Sequence, residues 1–303
     1  MAFLSINLAS GKCAKLRYHI NFKKVGEAVM ADGKLSGMVA FVTGSGGGGI
    51  GTGIALCLAE HGAAVVVNDL KEELALPTVE QIKSRGGEAM LAIGDVSQTE
   101  DVQRMVSEAY NWKGRLDILV NSVGIGGRQP EIEHMPDEEW LRTVEVDLTA
   151  PFKMSRAVIP IMRKQRFGRI INIASIAAWR TGFFSGSPYT ASKAGVLGLR
   201  RHFAGEEGEN GITVNAVLPG GTMIPRLSQN EEYHKLGQNR LLGRMALPKD
   251  HGEAVAFLAS REAEYITGAA LPVDGGSSIF GGSLAAYLSA RQRIFSAQSS
   301  QSS

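Results

Sequence analysis

The stretch "TGSGGGGIG", Thr43 to Gly51, decides the fold, and it follows directly on the apolar run "MVAFV". Six of its nine residues are glycine, which costs entropy on folding and is used where a backbone must approach another group closely. A strand, a glycine turn and a helix start in this order favour a dinucleotide-binding unit, because the helix N-terminus attracts a pyrophosphate. A tight structural turn is the alternative. The motif predicts cofactor contacts at Gly44, Ser45, Gly49, Ile50 and Gly51.

The next apolar run, "AAVVVND", ends in Asp69, which lies about 20 residues beyond the glycine loop. An acid at this position holds the adenosine ribose hydroxyls of a dinucleotide and repels the 2′-phosphate of NADP. Because the glycine loop also contains no lysine or arginine, the sequence favours NAD, with Leu70 as a further contact. Lys71 argues against this preference, and a turn aspartate at a strand end is the alternative to a ribose ligand.

Short apolar runs rich in β-branched residues recur along the chain, with helical stretches between them. Most of them do not alternate between apolar and polar residues, as expected of strands buried on both faces. They predict a doubly wound, seven-stranded parallel sheet with helices on both faces. The runs are Val39–Val42, Ala64–Val67, Ala89–Ile93, Ile118–Val120, Ile170–Ile173, Thr213–Val217 and Ala270–Val273.

Two of the helical stretches show an amphipathic pattern. Ser97-Gln-Thr-Glu100 predicts a capping box at a helix start. The apolar spacing that follows is typical of one buried helix face, formed by Val102, Met105, Val106 and Ala109. A similar spacing predicts a second apolar face, formed by Trp140, Leu141, Val144 and Leu148.

Composition excludes several classes of function. The chain has 303 residues, is 44% hydrophobic and carries a formal net charge of +2, so a sizeable core is expected but no nucleic-acid or membrane-surface partner. Cys13 and Cys57 provide neither a disulfide framework nor metal-ligand spacing, which favours a cytoplasmic protein without a metal. The uncharged run Leu35–Ala59 is long enough to span a membrane, but its eight glycines favour a strand, turn and helix instead.

The two ends of the chain differ from its middle, and we predict a domain at 34–278 between extensions at 1–33 and 279–303. The first 26 residues contain five lysines and arginines and no acid, as in a transit peptide. The alternative, which we favour, is a start at Met30, with the preceding residues as an upstream artefact or disordered tail. The segment "LAAYLSARQRIF" predicts an amphipathic helix in the C-terminal extension.

The segment "SPYTASKAG" places Tyr189 and Lys193 four residues apart, and therefore on one face of a helix. A phenol ionises with a pKa of about 10, and a nearby cation favours the phenolate, so such a pair is a usable acid/base. Taken alone, the pattern more often indicates a surface pair. Its value lies in the motifs that accompany it.

From Lys34 to Ser278 the chain resembles the short-chain dehydrogenase/reductase family. The resemblance depends on several motifs in the family's order: "TGSGGGGIG", "GDV", "DILVNSVG", "IINIAS", "PYTASKAG", "ITVNAVLPGG" and "YITGAALPVDGG". It implies a single-domain Rossmann fold and a homotetramer. Taken with the preference for NAD indicated by Asp69, it implies an NAD-dependent interconversion of a secondary alcohol and a ketone.

The resemblance implies roles for particular residues. Ser175, Tyr189 and Lys193 would be catalytic, with Tyr189 as the acid/base, Lys193 on the nicotinamide ribose and Ser175 on the substrate oxygen. The implied cofactor contacts, in addition to Tyr189 and Lys193, are Asp95, Val96, Asn121, Gly124, Pro219, Gly220 and Thr222.

Three departures from the family pattern concern the site. The glycine loop has one residue more than usual between Gly44 and Gly49, which could shift its contacts. "NSVG" replaces the family's Asn-Asn-Ala-Gly. The position of a fourth catalytic residue, an asparagine that holds a water near the lysine, carries Asp147, which could accept hydrogen bonds or form an ion pair with Lys193.

Three variable stretches should line the substrate pocket, namely Gly126–His134, Ile176–Pro188 and Thr222–Leu247. The third is long and polar and predicts a mobile lid. Arg226 in the lid could meet an anionic group, with a surface arginine as the alternative. A bulky or aromatic substrate is suggested by Trp179, Phe183 and Phe184, for which core or subunit-contact positions are the alternative.

Two other functions remain open. An NADPH-dependent 3-oxoacyl thioester reductase would need a basic residue near the glycine loop or after the second strand, and Asp69 argues against it. A catalytically silent nucleotide-binding or scaffold protein could share the fold, but such proteins tend to lose the catalytic residues, and only Asp147 encourages this interpretation.

Overall fold

Every apolar run predicted as a strand forms part of one parallel sheet. The computed structural model describes residues 33–126, 130–180, 185–238, 240–280 and 287–291. Its strands are β1 Val39–Val42, β2 Ala64–Asp69, β3 Ala89–Ile93, β4 Ile118–Asn121, β5 Gly168–Ile173, β6 Ile212–Pro219 and β7 Ala270–Val273. They lie in the order β3-β2-β1-β4-β5-β6-β7. The predicted doubly wound, seven-stranded sheet is thereby confirmed.

Helices cover both faces of this sheet. They are α1 Ile50–Glu60, α2 Glu72–Ser84, α3 Thr99–Lys113, α4 Asp137–Val144, α5 Ala150–Gln165, α6 Ser187–Glu207, α7 Glu231–Gln238 and α8 Pro248–Ala259. Apolar residues of α1, α2 and α8 form one core cluster, and those of α3, α5 and α6 form another. Successive residues of β1 point into opposite clusters, Ala40 into the first and Phe41 into the second, which explains why the strands have no polar face.

Polar side chains extend some strands beyond their apolar runs. The run at Ala64–Val67 continues as β2 to Asp69. Asn68 is buried there because its amide nitrogen donates to the carbonyl oxygens of Ala92 and Gly94 at 2.9 and 3.2 Å. A hydrogen-bonded amide can occupy an interior position at little cost, which the apolar pattern alone did not predict.

The two helical predictions had different outcomes. The apolar face of α3 is buried as expected, but the predicted capping box is wrong. The helix begins at Thr99 with Gln98 as its N-cap, and no side chain caps it. The Ser97 hydroxyl instead accepts a hydrogen bond from the side chain of Gln98.

The second apolar face does not continue as one regular helix. Trp140 and Leu141 on α4 are 39% and 63% exposed. A π-helical turn, Glu145–Thr149, separates α4 from α5. Such turns often mark functional sites, and this one contains the fully buried Asp147.

The predicted extensions fall largely outside the described residues, including all of 1–32, so their predictions stay open. In the C-terminal segment, residues 287–291 are helical and exposed. The ring of Tyr287 lies 5.3 Å from that of Phe280. Of the helices in the described ranges, none has the length and apolar character that crossing a membrane requires.

Candidate active site

A cavity of about 1190 Å³ follows the carboxyl ends of the strands. These ends share one edge of a parallel sheet, and a crevice opens where the winding direction reverses, here between β1 and β4. The glycine loop and the end of β2 line one side of the cavity, and segments after β5 and β6 line the other. The cavity therefore brings together most of the residues that the sequence singled out.

The glycine loop presents backbone groups to this cavity at Gly44, Gly49, Ile50 and Gly51. A Cβ on Gly51 would clash with the carbonyl oxygen of Gly44, so the two segments can approach only because Gly51 has no side chain. No side chain caps α1 and no acid lies in its first turn. Its N-terminal N–H groups and positive dipole end thus suit a pyrophosphate.

The additional residue of the glycine loop is accommodated by left-handed backbone. Gly47 and Gly48 have φ of 67° and 74°, values that glycine adopts without strain. The N–H of Gly47 donates to the carbonyl oxygen of Leu74 at 3.2 Å, and that of Gly48 donates to the Thr52 hydroxyl at 3.1 Å. The loop is lengthened while α1 still begins at the edge of the cavity.

The end of β2 lies on the side of the cavity where the sequence predicts adenosine, called the adenosine side below. The Asp69 carboxylate accepts the N–H groups of Gly46 at 3.1 Å and Leu70 at 2.8 Å, and both Asp69 and Leu70 line the cavity. Lys71 does not line it, and its ammonium lies 3.8 Å from Glu73 on the surface. The glycine loop, Asp69 and Leu70 contribute no lysine or arginine to the lining, whereas Arg226 lines the cavity next to Pro225, which lies close to Gly48.

The segment after β3 completes the adenosine side. Asp95 and Val96 both line the cavity there. The Asp95 carboxylate accepts the N–H of Ser97 at 2.8 Å, and the N–H of Asp95 donates to the Asp101 carboxylate at 2.9 Å. These contacts fix the turn that carries the predicted adenine-binding residues.

Ser175, Tyr189 and Lys193 line the middle of the cavity. Ser175 follows β5, and its hydroxyl accepts the N–H of Ala177 at 3.1 Å. Tyr189 lies in the first turn of α6 and Lys193 one turn later, with the ammonium 5.5 Å from the centre of the tyrosine ring. The lysine is 3% exposed and also donates to the carbonyl oxygen of Ile173 at 3.3 Å.

Asp147 lies behind this group and does not line the cavity. One carboxylate oxygen accepts the N–H of Ile125 at 2.8 Å, and the other lies 3.3 Å from the ammonium of Lys193. A Cβ on Gly124 would lie 3.2 Å from both charged groups, so the glycine leaves them room. Of the two alternatives for Asp147, the structure therefore contains both, a hydrogen-bond acceptor and an ion-pair partner.

Two other predicted cofactor residues are buried next to the cavity but do not line it. The Ser45 hydroxyl donates to the carbonyl oxygen of Val42 at 2.8 Å and holds the glycine loop to β1. The Asn121 amide donates to the Asn172 side chain at 2.9 Å and joins β4 to β5. Both side chains position the backbone that surrounds the cavity.

The wall after β6 contains Pro219, Gly220 and Thr222, as predicted. The Thr222 hydroxyl donates to the carbonyl oxygen of Gly220 at 3.1 Å and lies 2.8 Å from Nε2 of His251, which is fully buried in α8. Because that hydroxyl has one proton, Nε2 must be the donor to it. Burial lowers the pKa of His251 to about 4, so the imidazole is neutral.

The segment predicted to be a lid, Thr222–Leu247, follows this wall. Its ends are joined where the N–H of Met223 donates to the carbonyl oxygen of Ala246 at 2.7 Å. The phenol of Tyr233 on α7 accepts the backbone N–H of Thr222 at 3.2 Å. Sequence reasoning missed both Tyr233 and His251, because neither position differs in pattern from an ordinary helical residue.

The substrate side agrees with its prediction in part, because residues of Ile176–Pro188 and Thr222–Leu247 line the cavity. Gly126 is the described residue of Gly126–His134 that lines the cavity, and Trp179 is 51% exposed outside it. Phe183 and Phe184 lie outside the described residues. The lining aromatic side chains that sequence reasoning did not single out are Tyr233 and Phe280.

A cluster outside the cavity bears on the prediction that no metal is used. Ligand atoms of Cys57, Glu60 and Glu253 lie within 4.8 Å of one another. Burial raises the pKa of the Cys57 thiol to about 12, which disfavours the thiolate that binds metals. The ammonium of Lys249 lies 3.3 Å from Glu60 and 3.6 Å from Glu253, so a cation already balances the two acids.

Comparison with known proteins identifies relatives over most of the chain. The family described as Enoyl-(Acyl carrier protein) reductase matches residues 46–278. The (2S)-[(R)-hydroxy(phenyl)methyl]succinyl-CoA dehydrogenase subunit BbsD of Thauera aromatica is 37% identical over 80% of this chain and 98% of its own length. The 3-oxoacyl-[acyl-carrier-protein] reductase FabG of Haemophilus influenzae is 38% identical over 80% of this chain and 98% of its own length.

Solved structures give the same result. A Burkholderia xenovorans protein assigned to the short-chain dehydrogenases/reductases matches with a TM-score of 0.78 and 34% identity, over 82% of this chain and 100% of its own. A gluconate 5-dehydrogenase of Burkholderia cenocepacia, in complex with NADP and tartrate, matches with a TM-score of 0.75 and 31% identity, over 81% and 97%. Together with the cavity just described, these matches show that the chain belongs to the short-chain dehydrogenase/reductase family.

Proposed function

We propose that the protein is an NAD-dependent oxidoreductase that interconverts a secondary alcohol and a ketone. The observation that carries the proposal is that Ser175, Tyr189 and Lys193 line the same cavity as the glycine loop and Asp69. A bound nicotinamide cofactor would supply the hydride donor or acceptor. The relatives' names, a dehydrogenase and a reductase, are in keeping with this class of reaction.

The side chains divide the remaining work between them. Tyr189 would exchange a proton with the substrate oxygen, and the Ser175 hydroxyl would donate a hydrogen bond to it. The Lys193 ammonium, 5.5 Å from the Tyr189 ring centre, would stabilise negative charge that develops on the phenol. Asp147 would hold Lys193 in place through the 3.3 Å ion pair.

The residues present fit a dinucleotide along the cavity. The open N-terminus of α1 suits the pyrophosphate, and Asp69 suits the ribose hydroxyls. The preference for NAD is supported by the Asp69 carboxylate and by the position of Lys71 outside the cavity. One structural relative contains NADP, so both cofactors belong in the test.

The test is the change in absorbance at 340 nm with NAD and NADP side by side. The substrates are aliphatic, aryl and cyclic secondary alcohols and their ketones. We expect turnover with NAD, and a loss of about 10²–10⁴-fold in kcat in Tyr189→Phe. Turnover retained in Tyr189→Phe would contradict the assignment of the acid/base.

A 3-oxoacyl thioester reductase that uses NADPH is a second candidate, since the Haemophilus influenzae relative carries that name. A preference for NADP in the same assay would support it and would contradict the argument from Asp69. Binding of NAD without turnover of any substrate would favour a silent nucleotide-binding protein. The cytoplasmic location and the homotetramer stay predictions, the latter testable by light scattering.

A further inference from the structure

Two of the four described arginines that line the cavity, Arg180 and Arg240, lie close to the turns after β6 and β7. Arg180 follows Ser175 by five residues, lines the cavity and donates from Nη1 to the carbonyl oxygen of Ser277. Arg240 belongs to the lid and also lines the cavity. A guanidinium has five N–H donors in a planar fork, so the bond to Ser277 leaves most of those on Arg180 available.

Arg240 has an unsatisfied donor. Its Nε atom is buried and finds no acceptor among the described residues. Nine buried side-chain atoms of the described residues lack a hydrogen-bond partner, and of the two arginine Nε atoms among them only that of Arg240 belongs to a residue that lines the cavity. Neither Arg240 nor Arg180 has a carboxylate within ion-pair distance in the described part of the chain. An acceptor brought by a ligand would satisfy Arg240.

The acids near the cavity do not balance these charges. Of the acidic residues that line it, Asp69 and Asp95 belong to the adenosine side. Glu145 lies 2.6 Å from the ammonium of Lys153. The carboxylate of Asp274, beneath the turn that Arg180 contacts, accepts backbone N–H groups at 2.9 and 2.6 Å. Among the described residues, neither guanidinium therefore has a carboxylate as an ion-pair partner, although the Asp274 carboxylate lies on the same side.

The position of the two arginines excludes the 2′-phosphate of NADP as their ligand. Arg180 follows β5, three strands from β2 in the sheet, or about 14 Å at the usual spacing. Arg240 lies over the turns after β6 and β7, close to Gly221 and Gly275, and thus farther still. Arg226 also lines the cavity and, like Arg240, acts electrostatically on Tyr233. Its neighbour Pro225 lies close to Gly48 of the glycine loop, so we leave Arg226 out of the proposed pair.

Tyr233 supplies a further donor on the same side. It lines the cavity close to Arg240, and its phenol oxygen already accepts the N–H of Thr222 at 3.2 Å. Burial raises the pKa of Tyr233, so the hydroxyl keeps its proton at neutral pH. That proton can be donated to an anion held by the arginine.

We propose that Arg180, Arg240 and Tyr233 bind a carboxylate carried by the substrate, which makes the substrates hydroxy acids and oxo acids. The reacting carbon then lies at Ser175 and Tyr189, and the carboxylate lies toward the lid and the turn after β7. Hydrogen bonds to a charged acceptor are roughly twice as strong as neutral ones, so the carboxylate both selects and orients the substrate. The inference rests on the proposed oxidoreductase function.

The test compares acids with their primary amides, which have almost the same shape but no charge. The pairs are 4-acetylbenzoate with 4-acetylbenzamide, and 5-oxohexanoate with 5-oxohexanamide, each reduced with saturating NADH. We expect kcat/KM to favour the acid about 10-fold or more. In Arg240→Gln and Arg180→Gln the ratio should fall toward about one, because the acids lose more of their kcat/KM than the amides do.

Three controls make the comparison specific. Arg240→Lys keeps the charge but not the fork, so it should retain part of the preference. Arg85→Gln removes an arginine that pairs with Glu60 on the surface, and the acid-to-amide ratio should not change. Acetoacetyl-CoA is compared with the acetoacetyl thioester of N-acetylcysteamine, which lacks the phosphate groups of CoA. A preference for the CoA ester that depends on Arg240, without any preference for acids, would overturn the proposal and assign the arginines to phosphate.

The outcomes separate this proposal from the proposed function. Turnover of amides with no preference for acids, or a preference that survives both substitutions to glutamine, overturns the carboxylate site and leaves the oxidoreductase standing. If no ketone reacts, calorimetry with 4-acetylbenzoate and 4-acetylbenzamide decides the matter. Binding of the acid alone, lost in Arg240→Gln, supports the site without the activity, and equal or absent binding of the two compounds overturns it.

Discussion

The two sides of the cavity are built by different means. On the cofactor side, the glycine loop and the strand end at Asp69 present backbone groups and one carboxylate, and each comes from a short continuous stretch. On the substrate side, charged and polar side chains meet from positions far apart in the chain, such as Arg180, Tyr233 and Arg240. Local sequence therefore determines the first side, while only long-range packing creates the second.

The ion pair of Lys193 and Asp147 lies between the two sides of the cavity. The largest effect on stability is expected from a substitution that breaks this pair. Both side chains are buried, at 3% and 0% exposure. Removing one partner of a buried pair leaves an uncompensated charge, so Asp147→Ala should lower the free energy of unfolding by about 3–5 kcal/mol. Urea unfolding would measure this loss.

The conservative variant sharpens the prediction for Asp147. Asp147→Asn keeps an oxygen that can accept the N–H of Ile125 and loses only the charge opposite Lys193. It should be destabilised less than Asp147→Ala. Unchanged unfolding curves for both variants would show that the ion pair does not stabilise the folded protein.

The substrate side should carry a signature in the pH dependence of stability. The pKa of His251 is lowered by burial from 6.5 to about 4. Between these values the unfolded chain binds a proton that the folded protein does not, so stability falls as the pH is lowered through this window. The loss attributable to His251 should reach roughly 3 kcal/mol near pH 4.

His251→Gln tests this assignment, since the glutamine amide can still donate to the Thr222 hydroxyl. Between pH 6.5 and 4, the free energy of unfolding of the variant should then fall less steeply than that of the wild type. The two slopes should differ by about 1.4 kcal/mol per pH unit. Above pH 6.5 the slopes of wild type and variant should agree. An equally steep loss in the variant would assign the pH dependence to other groups.

On the cofactor side, the loss of stability on adding a Cβ atom should differ between two glycines of the loop. A Cβ on Gly51 would clash with Gly44, whereas a Cβ on Gly49 meets nothing within 4 Å. Gly51→Ala should therefore cost about 1–3 kcal/mol through overpacking. Gly49→Ala should cost less than about 1 kcal/mol. Thermal unfolding without cofactor measures both, and equal costs would contradict the clash.

The smallest expected effect concerns cofactor choice. Asp69→Ala removes the carboxylate that repels a 2′-phosphate, so the ratio of kcat/KM for NADP to that for NAD should rise about tenfold. Lys71→Ala is the matched control, because Lys71 lies outside the cavity. A ratio that changes in Lys71→Ala and not in Asp69→Ala would reverse the roles given to these residues.

Some features could not be predicted because the local pattern is ambiguous. The spacing of Trp140 and Leu141 indicated a buried face, but they are 39% and 63% exposed. Trp179 was expected in the pocket and lies outside it, whereas Phe280, in the predicted C-terminal extension, lines it. Apolar periodicity shows that a residue has an apolar side, but it does not show what packs against that side.

The sequence by itself determined the doubly wound sheet, the position of the glycine loop at its edge and the candidate acid/base pair. Each depends on a continuous pattern whose geometry is local: buried β-branched runs, glycine before a helix, and a spacing of four on a helix. The tertiary structure alone decided that Asp147 pairs with Lys193, that His251 holds Thr222, and that Arg180 and Arg240 share one wall. These contacts join residues from different elements, and they exist only once the whole sheet has brought those elements together.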